Sequence, residues 1–194
     1  MKIVPGLLGL GLLLTACSGP GPGTPPAPTV TVTAPTTAPV PPSAEPAALS
    51  WMDGFCSAIH GYRDRTNKEA EPAKPQPGSV AEAQKALSAE LGGIAARTGE
   101  VVDKLAALPP APVPLAEKVR KAFATKYTTA RDRAANAKSV LDRAKPGDQA
   151  SQDPAVKALS QAQQDVDGAY DPVAPLTESP ELMLAAANAP GCKA

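Results

Sequence analysis

The sequence predicts an all-α fold, an up-and-down helical bundle built on a long antiparallel helix hairpin and preceded by a disordered tether. Apolar residues recur every three or four positions along residues 49–194, which is the period of a helix with one buried face. The alternation that indicates a strand is absent there, and β-branched residues are few. Clusters of proline separate the periodic stretches and mark where helices end.

Two helices open the predicted bundle. Helix A starts at Ser50, a residue type that caps helix N-termini, and has one apolar face: Met52, Phe55, Cys56, Ile59 and Tyr62. Helix B begins at Ser79, with Glu82 three residues further on, as in a capping box. Its seam steps by four and three residues: Leu87, Leu91, Ile94, Thr98, Val101, Leu105 and Leu108. Such a seam favours a partner helix at a small crossing angle.

Three further helices complete the bundle. Helix C has a matching seam: Phe123, Tyr127, Ala130, Ala134, Ala137, Leu141 and Ala144. Helix D starts at Asp153 and Pro154, and its apolar face is predicted at Val156, Leu159, Gln163, Val166 and Tyr170. Helix E follows Ser179 and ends near Asn188. Because a short proline-rich connector joins B and C, they should form an antiparallel hairpin about 45 Å long.

Residues 1–16 have the charge and apolar pattern of a signal peptide. Lys2 supplies the positive start, and residues 3–14 form an uncharged apolar stretch, too short to span a bilayer, which takes about 20 residues. Residues 14–17 (Leu-Thr-Ala-Cys) resemble the lipobox of bacterial lipoproteins. The resemblance implies cleavage before Cys17, lipid on its thiol, and a location on the extracytoplasmic face of the cell membrane.

Residues 17–48 follow as the lipidated cysteine and a linker rich in proline and threonine. Residues 18–48 hold ten of the 24 prolines, six threonines and a single charged residue, Glu45. A segment this poor in apolar side chains cannot offset the entropy cost of ordering, so we expect a disordered tether. At about 3.1 Å per residue it would reach roughly 95 Å, which suits either a stalk or a passive linker. Residues 49–194 form the helical bundle domain, a size that suits one core.

Cys56 and Cys192 remain once Cys17 is assigned to lipid. Outside the cytoplasm an even pair of cysteines usually forms a disulfide, so a structural Cys56–Cys192 bridge is predicted. It would tie helix A to the end of the chain. The absence of a Cys-x-x-Cys spacing argues against a redox-active pair.

The residue pattern predicts no catalytic, metal or cofactor site. His60 is the only histidine, and Asp64 lies one turn further on, but no nucleophile completes a catalytic relay. We interpret His60 as an exposed helical histidine beside a carboxylate. One histidine and two paired cysteines cannot complete a zinc site, and no glycine-rich phosphate loop is present. We therefore expect no enzyme activity.

Charge is distributed unevenly along the predicted domain. Residues 115–145 carry nine basic and three acidic side chains, whereas residues 146–194 carry two basic and seven acidic ones. Either helix C presents a basic face to anionic lipid or cell-wall polymer, or the acidic region packs beside helix C and neutralises it. We favour the second arrangement. A neutral, extracytoplasmic domain is a poor candidate for binding nucleic acid.

The layout is similar to that of small actinobacterial cell-envelope lipoproteins of uncharacterised function. The likeness rests on the lipobox, the tether, residues 51–56 and the alanine-rich end leading to residues 189–192 (Ala-Pro-Gly-Cys). It implies a cell-surface location. We expect a non-enzymatic interaction module that presents a helical surface to an envelope protein or polymer. A carrier of an apolar ligand, such as a lipid, is the alternative, which a sizeable apolar cavity would favour. The oligomeric state is left open.

Overall fold

The computed structural model describes residues 43–70 and 76–193, so the predicted signal peptide, Cys17 and most of the predicted tether lie outside the described residues. Within these residues all regular structure is helical, which confirms the predicted all-α class. Five α-helices pack against one another: α1 (Pro46–Ala70), α2 (Val80–Ala106), α3 (Pro114–Arg143), α4 (Gln152–Asp165) and α5 (Pro180–Asn188). Short 3₁₀ turns span Gln149–Ser151, Ala174–Leu176 and Pro190–Cys192.

Helix α1 begins four residues before the predicted start at Ser50. Its first residue is Pro46, which falls within the range predicted for the tether. Proline is tolerated in the first turn of a helix because an N–H there would have no helical partner. The predicted apolar face, from Met52 to Tyr62, is buried. Helix α1 packs against α2, α5 and the 3₁₀ turn at the end of the chain.

Helices α2 and α3 share the most extensive contact between any two elements described. Near the start of α2, the Gln84 amide donates to the Leu141 carbonyl near the end of α3, at 3.0 Å. Near the start of α3, Arg120 donates to the Leu105 carbonyl near the end of α2, at 3.4 Å. The two helices therefore run in opposite directions. Thr98, the polar member of the seam, is buried and donates to a carbonyl one turn earlier, at 2.7 Å.

The capping pattern predicted at the start of α2 is confirmed, and α5 begins with the same kind of N-cap. The Ser79 and Ser179 hydroxyls each accept from the backbone N–H three residues further on, at 3.2 and 3.3 Å. These bonds satisfy one of the N–H groups that a helix start leaves without a partner. At α2 the Glu82 carboxylate also accepts from the N–H of Gly78, at 2.7 Å. The starting points of α2 and α5 are thus fixed by hydrogen bonds between residues close in sequence.

The face that α4 buries overlaps only in part with the predicted one, since Val166 is buried and Leu159 is partly buried against the core, whereas Gln163 and Tyr170 are exposed. Its buried residues are Ala155 and Ala162, followed by Val166 just beyond its end, whereas Val156 is 54% exposed. The prediction followed the larger apolar side chains. In the structure α4 packs on α3, and its alanines face inward because small side chains allow two helices to approach closely.

Helix α4 is also shorter than predicted. The chain enters it through a 3₁₀ turn capped by Asp148, so Asp153 lies inside the helix instead of capping it. The helix ends at Asp165 and does not continue to Tyr170. The turn that follows contains Gly168, whose φ of +69° is a conformation that residues with a side chain rarely adopt.

Candidate functional site

An open groove lies between α3 and α4 on the outside of the bundle. It has a volume of about 600 Å³ and opens to solvent along its length. Its lining includes Ala155, which is buried, and Ala137 and Ala158, which are partly buried, together with several polar side chains. Its full lining is Thr129, Asp132, Arg133, Asn136, Ala137, Val140, Ser151, Pro154, Ala155 and Ala158.

Polar contacts hold α4 on α3 beside this groove. Arg133 donates from Nε and Nη2 to the two carboxylate oxygens of Asp165, at 2.6 and 3.3 Å, and from Nη1 to Gln161, at 3.3 Å. A forked arginine–carboxylate pair is more directional than a single bond, so it fixes the position of α4. Tyr127 lies buried on α3, and its hydroxyl donates to the carbonyl of Ala169, just after α4, at 2.9 Å. Burial raises the pKa of Tyr127 above its usual range.

The outer face of α3 carries an exposed stripe beside the groove. Val140 is 56% exposed, more than any other large apolar residue among those described. Asp132 and Arg143 share this face, three helical turns or about 16 Å apart. Asp132 accepts from the adjacent Arg131 at 2.8 Å, and Arg143 donates to Ser139 at 3.0 Å. The stripe thus begins at Asp132, which is paired with Arg131, and ends at Arg143, with Val140 about one turn before Arg143.

The end of the chain is fastened to α1 by a disulfide and two hydrogen bonds, which we call the C-terminal clasp. Cys56 and Cys192 form the predicted disulfide, with Cα atoms 4.9 Å apart. Gly191 donates its N–H to the Asp53 carboxylate at 2.6 Å, and its carbonyl accepts from Nδ1 of His60 at 2.8 Å. The three α1 side chains recur every three or four residues, so the helical repeat places them on one face.

His60 is buried, which corrects its interpretation as an exposed histidine. It is only 7% exposed because the chain end covers it, while Asp64 stays exposed. Its Nδ1 donates to the Gly191 carbonyl at the end of the chain. A shallow depression of about 450 Å³ lies beside the clasp: Ser50, Asp53, Gly54, Ser57, Ala58, Lys104, Ala107, Leu108 and Pro109 line it.

Most of the acidic partners that the basic side chains of α3 have among the described residues lie within α3 itself. Glu117 pairs with Arg120 at 2.7 Å and with Lys121 at 3.3 Å. Hydrogen bonding from Arg120, reinforced by Lys121, lowers the pKa of Glu117 to about 2 against the opposing effect of desolvation. Two further pairs lie within the same helix: Arg131 with Asp132, and Lys138 with Asp142.

The acidic region after α3 contributes less neutralisation than the charge count suggests. Asp165 pairs with Arg133 as described. Asp167 offers Lys126 its backbone carbonyl and not its carboxylate. The Asp171 carboxylate accepts backbone N–H groups of the turn that follows it, at 2.9 and 3.1 Å. Among the described residues, the arrangement in which the acidic region neutralises α3 is therefore supported by one side-chain ion pair, Arg133 with Asp165.

The described residues contain neither a metal-binding cluster nor a membrane-spanning helix. Within residues 43–70 and 76–193, no three His, Cys, Asp or Glu side chains are grouped so that they could hold a metal ion. No helix in that same part of the chain is long and apolar enough to cross a membrane. Comparison with known proteins gives no match: no family model fits the chain, and no curated protein or solved structure is significantly similar to it.

Proposed function

We propose that this chain is a lipoprotein, anchored through lipid on Cys17 to the extracytoplasmic face of the cell membrane. The signal-like residues 1–16, the lipobox and the likeness to small actinobacterial lipoproteins support this location. The pairing of Cys56 with Cys192 is consistent with it, because disulfides persist in oxidising compartments. Replacing Cys17 tests the anchor directly.

In this proposal residues 17–48 are largely a tether, and residues 49–194 are an up-and-down bundle built on the α2–α3 hairpin. The bundle acts as a non-enzymatic interaction module for an envelope protein or polymer. A rigid hairpin suits this role, since side chains on packed helices are held more accurately than side chains on loops. The tether would let the module reach partners away from the membrane surface.

The observation that carries the interaction proposal is the open groove between α3 and α4. Its floor is apolar, its border is polar, and the exposed Val140 stands at its edge. An apolar centre with a polar rim is the composition of protein-binding surfaces.

For the anchor, the test is Cys17→Ala in the full chain. Without the thiol no diacylglycerol can be attached, so the precursor should stay uncut and its partitioning into detergent should fall. The wild-type chain extracted in parallel is the reference. Equal partitioning of the two chains would contradict the anchor.

For the interaction surface, the test is crosslinking from the groove in intact cells. The full chain carrying Asn136→Cys is labelled with a photoreactive thiol reagent, and the products are separated by mass. Adding Val140→Asp should reduce crosslinking, because a charge at the groove edge opposes apolar contact. The matched control is Val156→Asp, since Val156 is equally exposed on α4 and does not line the groove. An equal effect of the two changes would contradict a role for the groove.

The alternative function, a carrier of an apolar ligand, also has an observation in its favour. The groove volume of about 600 Å³ falls within the usual range for ligand sites. However, such sites cover most of their ligand's surface, and this groove is open along one side. Organic extraction of the purified full chain followed by mass spectrometry discriminates the two functions. A lipid recovered from wild type in molar proportion, and lost with Val140→Asp, would favour the carrier.

A further inference from the structure

We infer that the partner of this domain is a linear anionic polysaccharide of the cell envelope, which lies along the exposed face of α3. The inference rests on the proposed function in one respect, namely that the bundle binds an envelope partner. It goes further by naming the chemistry of that partner. Three features of α3 support it: an excess of positive charge, the elongated arrangement of that charge, and the neutral polar groups between the cations.

Helix α3 and the residues just after it carry more positive charge than their acidic partners neutralise. Nine basic side chains lie within residues 115–145. The carboxylates that pair with them among the described residues are four: Glu117, Asp132, Asp142 and Asp165. Five positive charges are therefore in excess along one helix. Such an excess attracts a polyanion.

Four cations account for most of this excess. In the part of the chain that the structure describes they are exposed and have no carboxylate partner: Lys118, Lys126, Arg143 and Lys145. Lys126 donates to the backbone carbonyl of Asp167, and Arg143 donates to the hydroxyl of Ser139. Because both of these acceptors are neutral, the two cations remain available for the stronger hydrogen bonds that carboxylate or phosphate groups accept.

Exposed residues form a straight line along α3, which we call the α3 ridge: Lys118, Thr125, Thr129, Asn136 and Arg143. They are separated by seven or four residues, which is close to two turns or one turn of a helix. The ridge is about 38 Å long, with Lys126 on its flank and Lys145 just beyond its end. A compact ligand cannot reach cations this far apart, whereas an extended chain with repeated negative charges can.

Neutral polar side chains occupy the ridge between its two terminal cations. The Thr125 and Thr129 hydroxyls donate to carbonyls one turn earlier, each at 2.9 Å. Their remaining lone pairs can accept from sugar hydroxyls, and the Asn136 amide can both donate and accept. Thr129 and Asn136 also line the α3–α4 groove, so the ridge borders it. Cations separated by hydroxyl and amide groups complement a chain that carries both hydroxyl groups and carboxylates or phosphates.

The charges that flank the ridge favour a polymer over an anionic membrane. Asp167 is exposed and lies beside Lys126, and the exposed Asp132 borders the ridge. A flat anionic bilayer in contact with α3 would also face these carboxylates, and like charges repel. A single polymer chain can follow the ridge and avoid them.

The test is binding of the full chain, purified in neutral detergent, to immobilised polymers by surface plasmon resonance. The charged polysaccharides are polygalacturonate, which carries carboxylates, and phosphorylated dextran. Unmodified dextran is the neutral reference, and polyglutamate represents an acidic polypeptide. We expect wild type to bind a charged polysaccharide more tightly than polyglutamate, to ignore dextran, and to dissociate as salt is raised. The tighter of the two charged polysaccharides identifies the preferred anionic group.

Two sets of substitutions with the same change in charge locate the surface. Replacing the four cations of α3 should weaken binding by about tenfold: Lys118→Gln, Lys126→Gln, Arg143→Gln and Lys145→Gln. The matched control replaces four exposed lysines of the other helices and should weaken binding much less: Lys68→Gln, Lys85→Gln, Lys104→Gln and Lys157→Gln. The melting temperature of each variant confirms that the bundle remains folded.

A membrane as the occupant is tested with a polarity-sensitive dye on Asn136→Cys, at the middle of the ridge. The labelled full chain is placed in vesicles of phosphatidylcholine, with and without phosphatidylglycerol. We expect the same emission in both, because the ridge does not lie on the bilayer. A blue shift only with the anionic lipid would assign the ridge to the membrane and overturn the inference.

Three further results would overturn it. These are equal weakening by the two sets of substitutions, tighter binding to polyglutamate than to either charged polysaccharide, and no salt-sensitive binding to any charged polysaccharide. The proposed interaction surface is judged separately, by photocrosslinking from the groove in intact cells. A loss of crosslinking with Val140→Asp and not with Val156→Asp would support that surface even where polysaccharide binding fails.

Discussion

Breaking the Cys56–Cys192 disulfide should destabilise the domain without abolishing its fold. The bridge joins α1 to the end of the chain, where Gly191 is also held by Asp53 and His60. Reduction removes the covalent link and leaves these two hydrogen bonds in place. The buried face of α1 also stays packed, so the reduced protein should keep its helices.

The size of the effect follows from the span that the bridge closes, which is 136 residues. In the chain-entropy model a loop of that length is worth about 5 kcal/mol, and measured gains are commonly about 2–4 kcal/mol. A domain of roughly 150 residues loses about 2–4 °C of Tm per kcal/mol. We therefore expect reduction to lower Tm by about 10 °C.

The assay is thermal unfolding followed by circular dichroism, with and without reductant. Cys192→Ser should melt at the temperature of the reduced wild type, and reductant should not change its Tm. Intact mass after alkylation without reductant should show no modified thiol at either position in the native wild type. Coincident melting curves for the oxidised and reduced protein would refute the loop-closure reasoning, and alkylation of both cysteines would refute the bridge itself.

Three further substitutions test other contacts of the structure. Gly191→Ala should lower stability by about 1–3 kcal/mol in denaturant titration, because the added Cβ would overlap the Ser57 hydroxyl and the Asp53 carbonyl. Gln84→Leu should cost a similar 1–3 kcal/mol or so, since it leaves the buried Leu141 carbonyl without its donor, whereas Ser88→Ala, which loses only a solvent-exposed hydrogen bond to Asp142, should cost less. Glu117 has a pKa depressed from 4.5 to about 2, so its contribution is present above about pH 4.5 and is lost as pH falls toward 2. Glu117→Gln should therefore flatten the acid limb of a Tm-against-pH curve, and an unchanged limb would contradict the pairing with Arg120.

The pairing of α2 with α3 was predictable because both helices repeat apolar residues in steps of four and three. Helices with such seams bury them against each other, and the seam around Leu91 and Tyr127 lies in the core. The face of α4 was predictable only in part, at Leu159 and Val166. Its other inward residues are alanines such as Ala155, which a hydrophobicity pattern ranks below the exposed Val156. Close packing of α4 on α3 favours alanine at the contact despite its lower hydrophobicity. Because this packing depends on both helices, the sequence of α4 alone does not indicate it.

The candidate site shows the same division. The count of cysteines and the expected compartment were sufficient to predict the disulfide. The hydrogen bonds of the clasp join Gly191 to Asp53 and His60 across 138 and 131 residues, so no local pattern indicates them. The groove depends on how α4 docks on α3. Its one signal in the sequence was Val140, an apolar residue outside the seam of its helix.

Large side chains fill the core around α1, whereas small side chains leave a groove between α3 and α4. Ring contacts connect Trp51 to Phe55 at 4.8 Å, Phe55 to Phe123 at 5.2 Å, and Tyr62 to both Tyr127 and Tyr170 at 5.2 and 6.4 Å. These are all six aromatic residues of the chain. They gather where α1 meets α3 and the segment after α4, on the helix that the disulfide also holds. Large rings bury far more area than alanine, so this side carries much of the apolar stabilisation.

Between α3 and α4 the facing residues are mostly alanine, and their small side chains leave the groove unfilled. The groove itself buries little apolar area, so we expect the aromatic cluster and the disulfide on α1 to contribute more to the stability of the domain.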